Sequence, residues 1–269
     1  RYLCNNTDRF ISAIPNAGIP ENVGGETVYP LQPEEMSETL NYFVEDFGVN
    51  IVGGCCGTTP DHLEMLVNTV ADKAPKDREV YWEPAASSLY QSVNLDQDPP
   101  PLIVGERTNA NGSKKFKNLL DAEDWDGMVE MAKEQEQGGA HMIDVCTAYV
   151  GRDEVRDMHE VVTRFNKQVT IPLMIDSTEW EVIEEALKNI TGRAVVNSIN
   201  LEDGEERTAK VLPLCRQFGA AVVALTIDED GMAKTADKKF AIAQRIYDLA
   251  INKFDMRPED LIFDTLTFT

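Results

Sequence analysis

The chain has no apolar run long enough to cross a bilayer, little positive charge and few histidines, and each shortage closes off a class of function. A helical span needs roughly twenty consecutive apolar residues. The first residues, RYLCNN, also lack the pattern of a secretory leader, so a cytoplasmic site of action is expected. Only 25 lysines and arginines stand against 47 acidic residues, a formal charge of -22. Such a surface repels phosphate backbones and anionic lipid, so neither nucleic acid nor a membrane is expected as a partner. His62, His141 and His159 share no metal-ligand spacing. The cysteines, Cys4, Cys55, Cys56, Cys146 and Cys215, are odd in number and scattered, unlike a secreted disulfide framework. Neighbouring Cα atoms lie about 3.8 Å apart, too close for an ordinary bridge between Cys55 and Cys56. Reduced thiols are therefore expected.

What the chain does have is a repeated device. Six short apolar runs each stop on a carboxylate or an amide: LIVGERTN at Glu106 and Asn109, MID at Asp144, LMID at Asp176, AVVN at Asn197, ALTID at Asp228 and LIFD at Asp264. Each is followed by a polar loop and an amphipathic, helix-length segment. This βα period predicts an α/β fold of the (β/α)8 barrel type, in which side chains at the C-terminal strand ends converge on one mouth. An earlier segment predicts a helix with Met36, Leu40, Phe43 and Val44 on one face. A strand VNIV follows it, ending at Gly53 and Gly54, and a second helix starts at Thr59 and Pro60.

Between Ala74 and Pro101 the periodicity dissolves and ends in three prolines, which predicts a connection between domains. The expected organisation is residues 1–77 as the C-terminal part of one barrel, 78–101 as linker, and 102–269 as a second barrel. With too few strands for closure in either, both barrels are expected to be truncated and the chain to be a piece of a longer protein.

Two adjacent thiols on a glycine-flanked loop can reach one soft cation such as zinc. The string GGCCGTTPDH, preceded by PNAG at residues 15–18, resembles the homocysteine-binding barrel of the cobalamin-dependent methionine synthases. That resemblance implies a zinc ion held by Cys55 and Cys56, approached by Asn16 when the thiol substrate is absent. It also implies a third cysteine in an Asn-Cys motif upstream of PNAG, a place Cys4 does not fit.

GERTN, IDST, VVNS and IFD, in that order, resemble the pterin-binding barrel of the same family and of corrinoid-protein methyltransferases. A reduced pterin offers N–H donors on its pyrimidine edge and acceptors at O4 and N5; carboxylates suit the former and an amide can donate to the latter. The resemblance implies that Asp176, Asn197 and Asp264 contact methyltetrahydrofolate. Gly112, Ser113 and Lys114 contribute from the first loop, beside Glu106 and Asn109. Asn197 is expected to be catalytic, stabilising N5 as it is protonated. The activity implied is methyl transfer from 5-methyltetrahydrofolate to cob(I)alamin, carried by another domain of the full-length protein, and then to homocysteine, forming methionine. A dihydropteroate synthase or corrinoid-protein methyltransferase explains the second barrel but not GGCCG, and a folate-binding module without turnover is the remaining alternative. Each acid on its own also suits the duty of a helix cap, a reading most open for Asp144 and Asp228.

Overall fold

A computed structural model describes residues 1–80 and 83–267. Tyr81 and Trp82, within the expected linker, and the last two residues of the expected barrel lie outside that description. The chain divides into two compact units, Arg1–Trp82 and Glu83–Thr269.

In the first unit, β1 (Ser12–Ala13) pairs in parallel with β2 (Ile51–Val52), and two helices, α1 (Pro33–Phe47) and α2 (Pro60–Val70), pack together. The face predicted for α1 is the one it buries: Met36 and Leu40 meet Leu66 of α2, and Val44 is also enclosed. Gly48 ends α1 with φ of 70°, and a Cβ there would lie 2.3 Å from the Lys76 carbonyl, so only glycine fits. Thr59 caps α2, and His62 Nδ1 sits 2.9 Å from its hydroxyl and 3.2 Å from its amide. A second barrel, expected in the first unit only as its C-terminal part, is not shown. Among the described residues the first unit has one two-stranded parallel pair and a hairpin of Glu21–Val23 with Glu26–Val28, whereas closure takes about eight strands.

The second unit holds one parallel sheet in which all six predicted runs take part. Its strands, in spatial and chain order, are β3 (Val104–Gly105), β4 (Met142–Val145), β5 (Leu173–Asp176), β6 (Val195–Ile199), β7 (Ala221–Leu225) and β8 (Leu261–Asp264). Between them run α3 (Lys114–Asp121), α4 (Trp125–Gln137), α5 (Glu154–Gln168), α6 (Trp180–Asn189), α7 (Glu206–Phe218) and α8 (Ala236–Asp248). Sequential parallel order with a helix after each strand is the progression of a barrel wall. Asp228 departs from prediction, falling beyond β7 in a small hairpin where it pairs with Lys238 at 3.3 Å.

Strand alternation sorts the side chains. Ile143, Val145, Ile175, Val196, Val222 and Ala224 join the helices in the main core, while Met142, Met174, Val195, Val223 and Ile262 form a separate inner cluster. Ala86 and Leu95 complete that cluster from the segment expected to be linker. There Ala85–Ser87 and Ser92–Asn94 form a hairpin, and Ser87 exchanges two 2.9 Å backbone bonds with Arg193 just before β6. Arg193 also binds the Ala85 carbonyl and Asp260, closing the lower end of the inner face. Among the described residues no helix is long and apolar enough to cross a membrane.

Candidate functional site

Two residues beyond Met142, Met174, Val195 and Ile262 stand Asp144, Asp176, Asn197 and Asp264. The pleat puts all four on the inner face at the C-terminal strand ends. Asn197 is directly in register with Asp176. The centre of the group is Asn109, which is 4% exposed. Its amide nitrogen donates to Asp144 Oδ2 at 2.9 Å and to Asp176 Oδ2 at 2.8 Å, and its oxygen accepts from the backbone amides of Asn111 and Gly112. The Thr108 hydroxyl donates to the Asp144 carbonyl at 2.5 Å and accepts from Gln135 Nε2 at 3.2 Å. Gln135 Oε1 in turn holds the Arg107 amide, and a Cβ on Gly105 would lie 2.8 Å from that oxygen, which is why glycine precedes Glu106.

Electrostatics separates the acids. Burial pushes Asp144 up to about 7, and the charges of Asp176 and Glu106 add to the effect against the opposing pull of Asn109. Asn197 approaches closely enough to favour the ionised form, yet Asp144 Oδ1 has no partner of hydrogen-bond geometry. Asp176 is raised in the same direction, first by burial and then by Glu106, with Asn109 and Arg207 opposing. Arg207, from the first turn of α7, reaches back to three carbonyls at the strand ends: Thr178 at 2.6 Å, Ser198 at 2.8 Å and Ser177 at 2.9 Å. It thereby ties the loops that follow Asp176 and Asn197.

The remaining predicted residues are placed as follows. Glu106, Gly112, Ser113 and Lys114 line an open cavity of about 550 Å³ together with Arg107. Ser113 also caps α3, its hydroxyl accepting from the Phe116 amide at 3.2 Å. Asp264 is exposed, and its carboxylate accepts from the Leu266 amide at 2.7 Å. Asp176 caps no helix, since the N-cap of α6 is Glu179. Asp144, which in sequence suits pocket and cap alike, does not cap α5, whose N-cap is Asp153, and is buried beneath Asn109. Reading the sequence missed Arg207 and Thr108. Only their neighbourhood to VVNS and GERTN pointed toward them, since contact with backbone carbonyls leaves no motif.

In the first unit Cys55 and Cys56 are exposed with their sulfurs 3.8 Å apart, and Asn16 Oδ1 accepts from the Cys56 amide at 3.2 Å. Two sulfurs on one tetrahedral zinc, each about 2.3 Å from the metal, stand about 3.8 Å from each other. The Cys56 thiol is pushed up by its hydrogen bond to Cys55 and then by that neighbour's charge, a repulsion that a cation would relieve. Among the described residues no group of three or more His, Cys, Asp or Glu is placed to hold a metal ion, so the pair fits two corners of a site. Equilibrium dialysis is expected to show zinc uptake by this chain that Cys55→Ser with Cys56→Ser abolishes. Undiminished uptake by the double variant would contradict a role for these thiols.

Comparison with known proteins locates both regions. Residues 105–269 match the family model described as pterin binding enzyme, and residues 1–70 match that for homocysteine S-methyltransferase. The chain is 44% identical over 272 residues to methionine synthase of Mycobacterium tuberculosis (strain ATCC 25618 / H37Rv) and 43% identical over 277 residues to that of Mycobacterium leprae (strain TN). All of this chain is aligned in both cases, and it spans 23% of either relative. A dihydropteroate synthase from Xanthomonas albilineans, solved with indole-2-carboxylic acid and 6-chloroguanine, superposes with a TM-score of 0.50 at 16% identity. The match covers 68% of this chain and 64% of that one, a likeness of fold.

Proposed function

This chain belongs to the pterin-binding enzyme family, and from that premise we propose that its second unit binds 5-methyltetrahydrofolate as part of a methyltransferase. In this reading the methyl group passes to cob(I)alamin, carried by another domain of the same full-length protein, and then to homocysteine, in the cytoplasm. The observation that carries it is the pair Asp176 and Asn197, in register at the strand ends, with Asp264 on the same face. It joins carboxylates for ring N–H donors to an amide for N5. The vicinal thiols of the first unit favour this reading over a dihydropteroate synthase, which has no use for them.

The roles follow from the chemistry of the leaving amine. N5 must gain a proton or a strong hydrogen bond as its bond to the methyl carbon breaks. Asp176 accepts from the pyrimidine edge, with Asp264 further along the same face as the second acceptor. Asn197 donates to N5 through its amide nitrogen before protonation and accepts from the N5–H through its amide oxygen afterwards, the proton arriving through water. Cys55 and Cys56 would hold zinc, with Asn16 beside them, and the metal would supply a thiolate form of homocysteine at neutral pH. Gly112, Ser113 and Lys114 flank the entrance for the rest of the folate.

Titration calorimetry with methyltetrahydrofolate, followed by a methyl-transfer assay with added cob(I)alamin, tests this. Asn197→Ala is expected to slow transfer by about 100-fold, the cost of one preorganised donor, with a smaller loss of affinity. Binding without any transfer would favour a folate-binding module instead.

A further inference from the structure

We propose that Asp144 is a positioning residue for this pocket: it anchors Asn109, and through Asn109 it fixes both the Asp176 carboxylate and the turn at Asn111 and Gly112. This role deepens the folate reading and, as far as ligand affinity is concerned, rests on it.

Asn109 has no capacity left for a ligand. An amide side chain carries two N–H donors and one oxygen with two lone pairs. Here the donors go to Asp144 and Asp176 and the oxygen to two backbone amides, all in a nearly sealed position. Asn109 is therefore a joint between β4, β5 and the entrance turn rather than a reading group. Of its four partners only Asp144 lies deep in the sheet, 3% exposed, with its backbone carbonyl pinned by Thr108. Without that anchor one buried N–H would lose its acceptor, and the amide could turn away from Asp176.

Asp144 has no competing structural duty. It caps no helix and pairs with no cation, and its second oxygen is unpartnered although buried. The charged and titratable groups around it are Asp176, Glu106 and Cys146, with Glu154 and Arg207 acting on Asp176 from the neighbouring loops. Three carboxylates near one amide do not hold three charges comfortably, and the deepest is the natural one to stay neutral. A neutral Asp144 still accepts from Asn109 through its carbonyl oxygen and leaves Asp176 as the anion facing the ring.

Asp144→Asn keeps an acceptor in place and removes only the ability to ionise, whereas Asp144→Leu removes the acceptor. At pH 7, Asp144→Asn is expected to bind methyltetrahydrofolate within about threefold of the unaltered chain, and Asp144→Leu more than about tenfold more weakly. Asn109→Leu, breaking the joint from its other end, is expected to match Asp144→Leu, and stands in for it if that variant does not fold. Without ligand, the Asn109 side-chain amide signals in a nitrogen-proton spectrum should be retained in Asp144→Asn and displaced or broadened in Asp144→Leu. Normal binding by Asp144→Leu, equal losses in the Asn and Leu variants, or unmoved Asn109 signals would each overturn the proposal. If the unaltered chain binds no folate, the ligand assignment fails separately, and the amide signals still decide the role of Asp144.

Discussion

Asp176→Ala is expected to weaken methyltetrahydrofolate binding by about 100-fold or more, since a half-buried carboxylate accepting from ring N–H groups contributes charge-assisted bonds worth about 1.5–3 kcal/mol each. Stability should change little. Removing the side chain takes an acceptor from Asn109, but it also removes an anion whose burial and proximity to Glu106 disfavour its charge. Calorimetry and a melting curve on the same variant separate the two effects. Binding within threefold of the unaltered chain would exclude Asp176 from the ligand contact, and a collapse of the melting midpoint would make it a structural acid.

The second large effect is on stability. Asp144 titrates near 7 in the folded chain against about 3.8 when unfolded, so folding favours its neutral form. Its contribution is fully present below pH 4, declines as pH rises between the two values, and is gone above 7. The loss amounts to about 4 kcal/mol at most, since each tenfold change in proton affinity is worth about 1.4 kcal/mol. Asp176 and Glu154 are raised in the same direction and steepen the decline. Asp144→Asn keeps the acceptor for Asn109 and cannot ionise, so at pH 8 it should be more stable than the unaltered chain by a large part of that figure. Near pH 4 the two should unfold at similar denaturant concentrations. Equal stability of the two chains at pH 8 would mean that Asp144 is not held neutral by the fold.

Much of this architecture was legible because parallel strands covered on both faces are short, apolar and bounded by polar loops. The runs ending at Asp144, Asp176, Asn197 and Asp264 each became a strand of the one sheet, and the α1 stripe of Met36, Leu40 and Val44 became a buried face. The helix start at Thr59 and Pro60 was equally plain, since a capping hydroxyl followed by proline acts locally. Ala86 and Leu95 were invisible because a hairpin that fills the inner face needs only small or single apolar residues, and its partner Arg193 is distant in sequence. The C-terminal part of a barrel expected for the first unit came from family resemblance rather than from its own strands, and the two short parallel strands there are too few to show a barrel by themselves.

At the site, alternation predicted which residues share a face but not how their polar atoms divide among partners. Asp144 and Asp264 looked alike as strand-end acids. One is sealed beneath Asn109 and the other is exposed on a backbone amide, a difference set by neighbouring strands rather than by either residue's own surroundings in sequence. Asn109 looked like a ligand contact for the same reason, and its bonds to both acids and to two backbone amides could not be read from its place in GERTN.

A crystal structure of this chain with methyltetrahydrofolate tests the central claim most directly. The expected result is a pterin ring at the C-terminal strand ends, its N–H edge on the Asp176 carboxylate and N5 facing the Asn197 amide, with Asn109 still bonded to both acids. A pterin seated elsewhere, or one that reaches neither Asp176 nor Asn197, would contradict it.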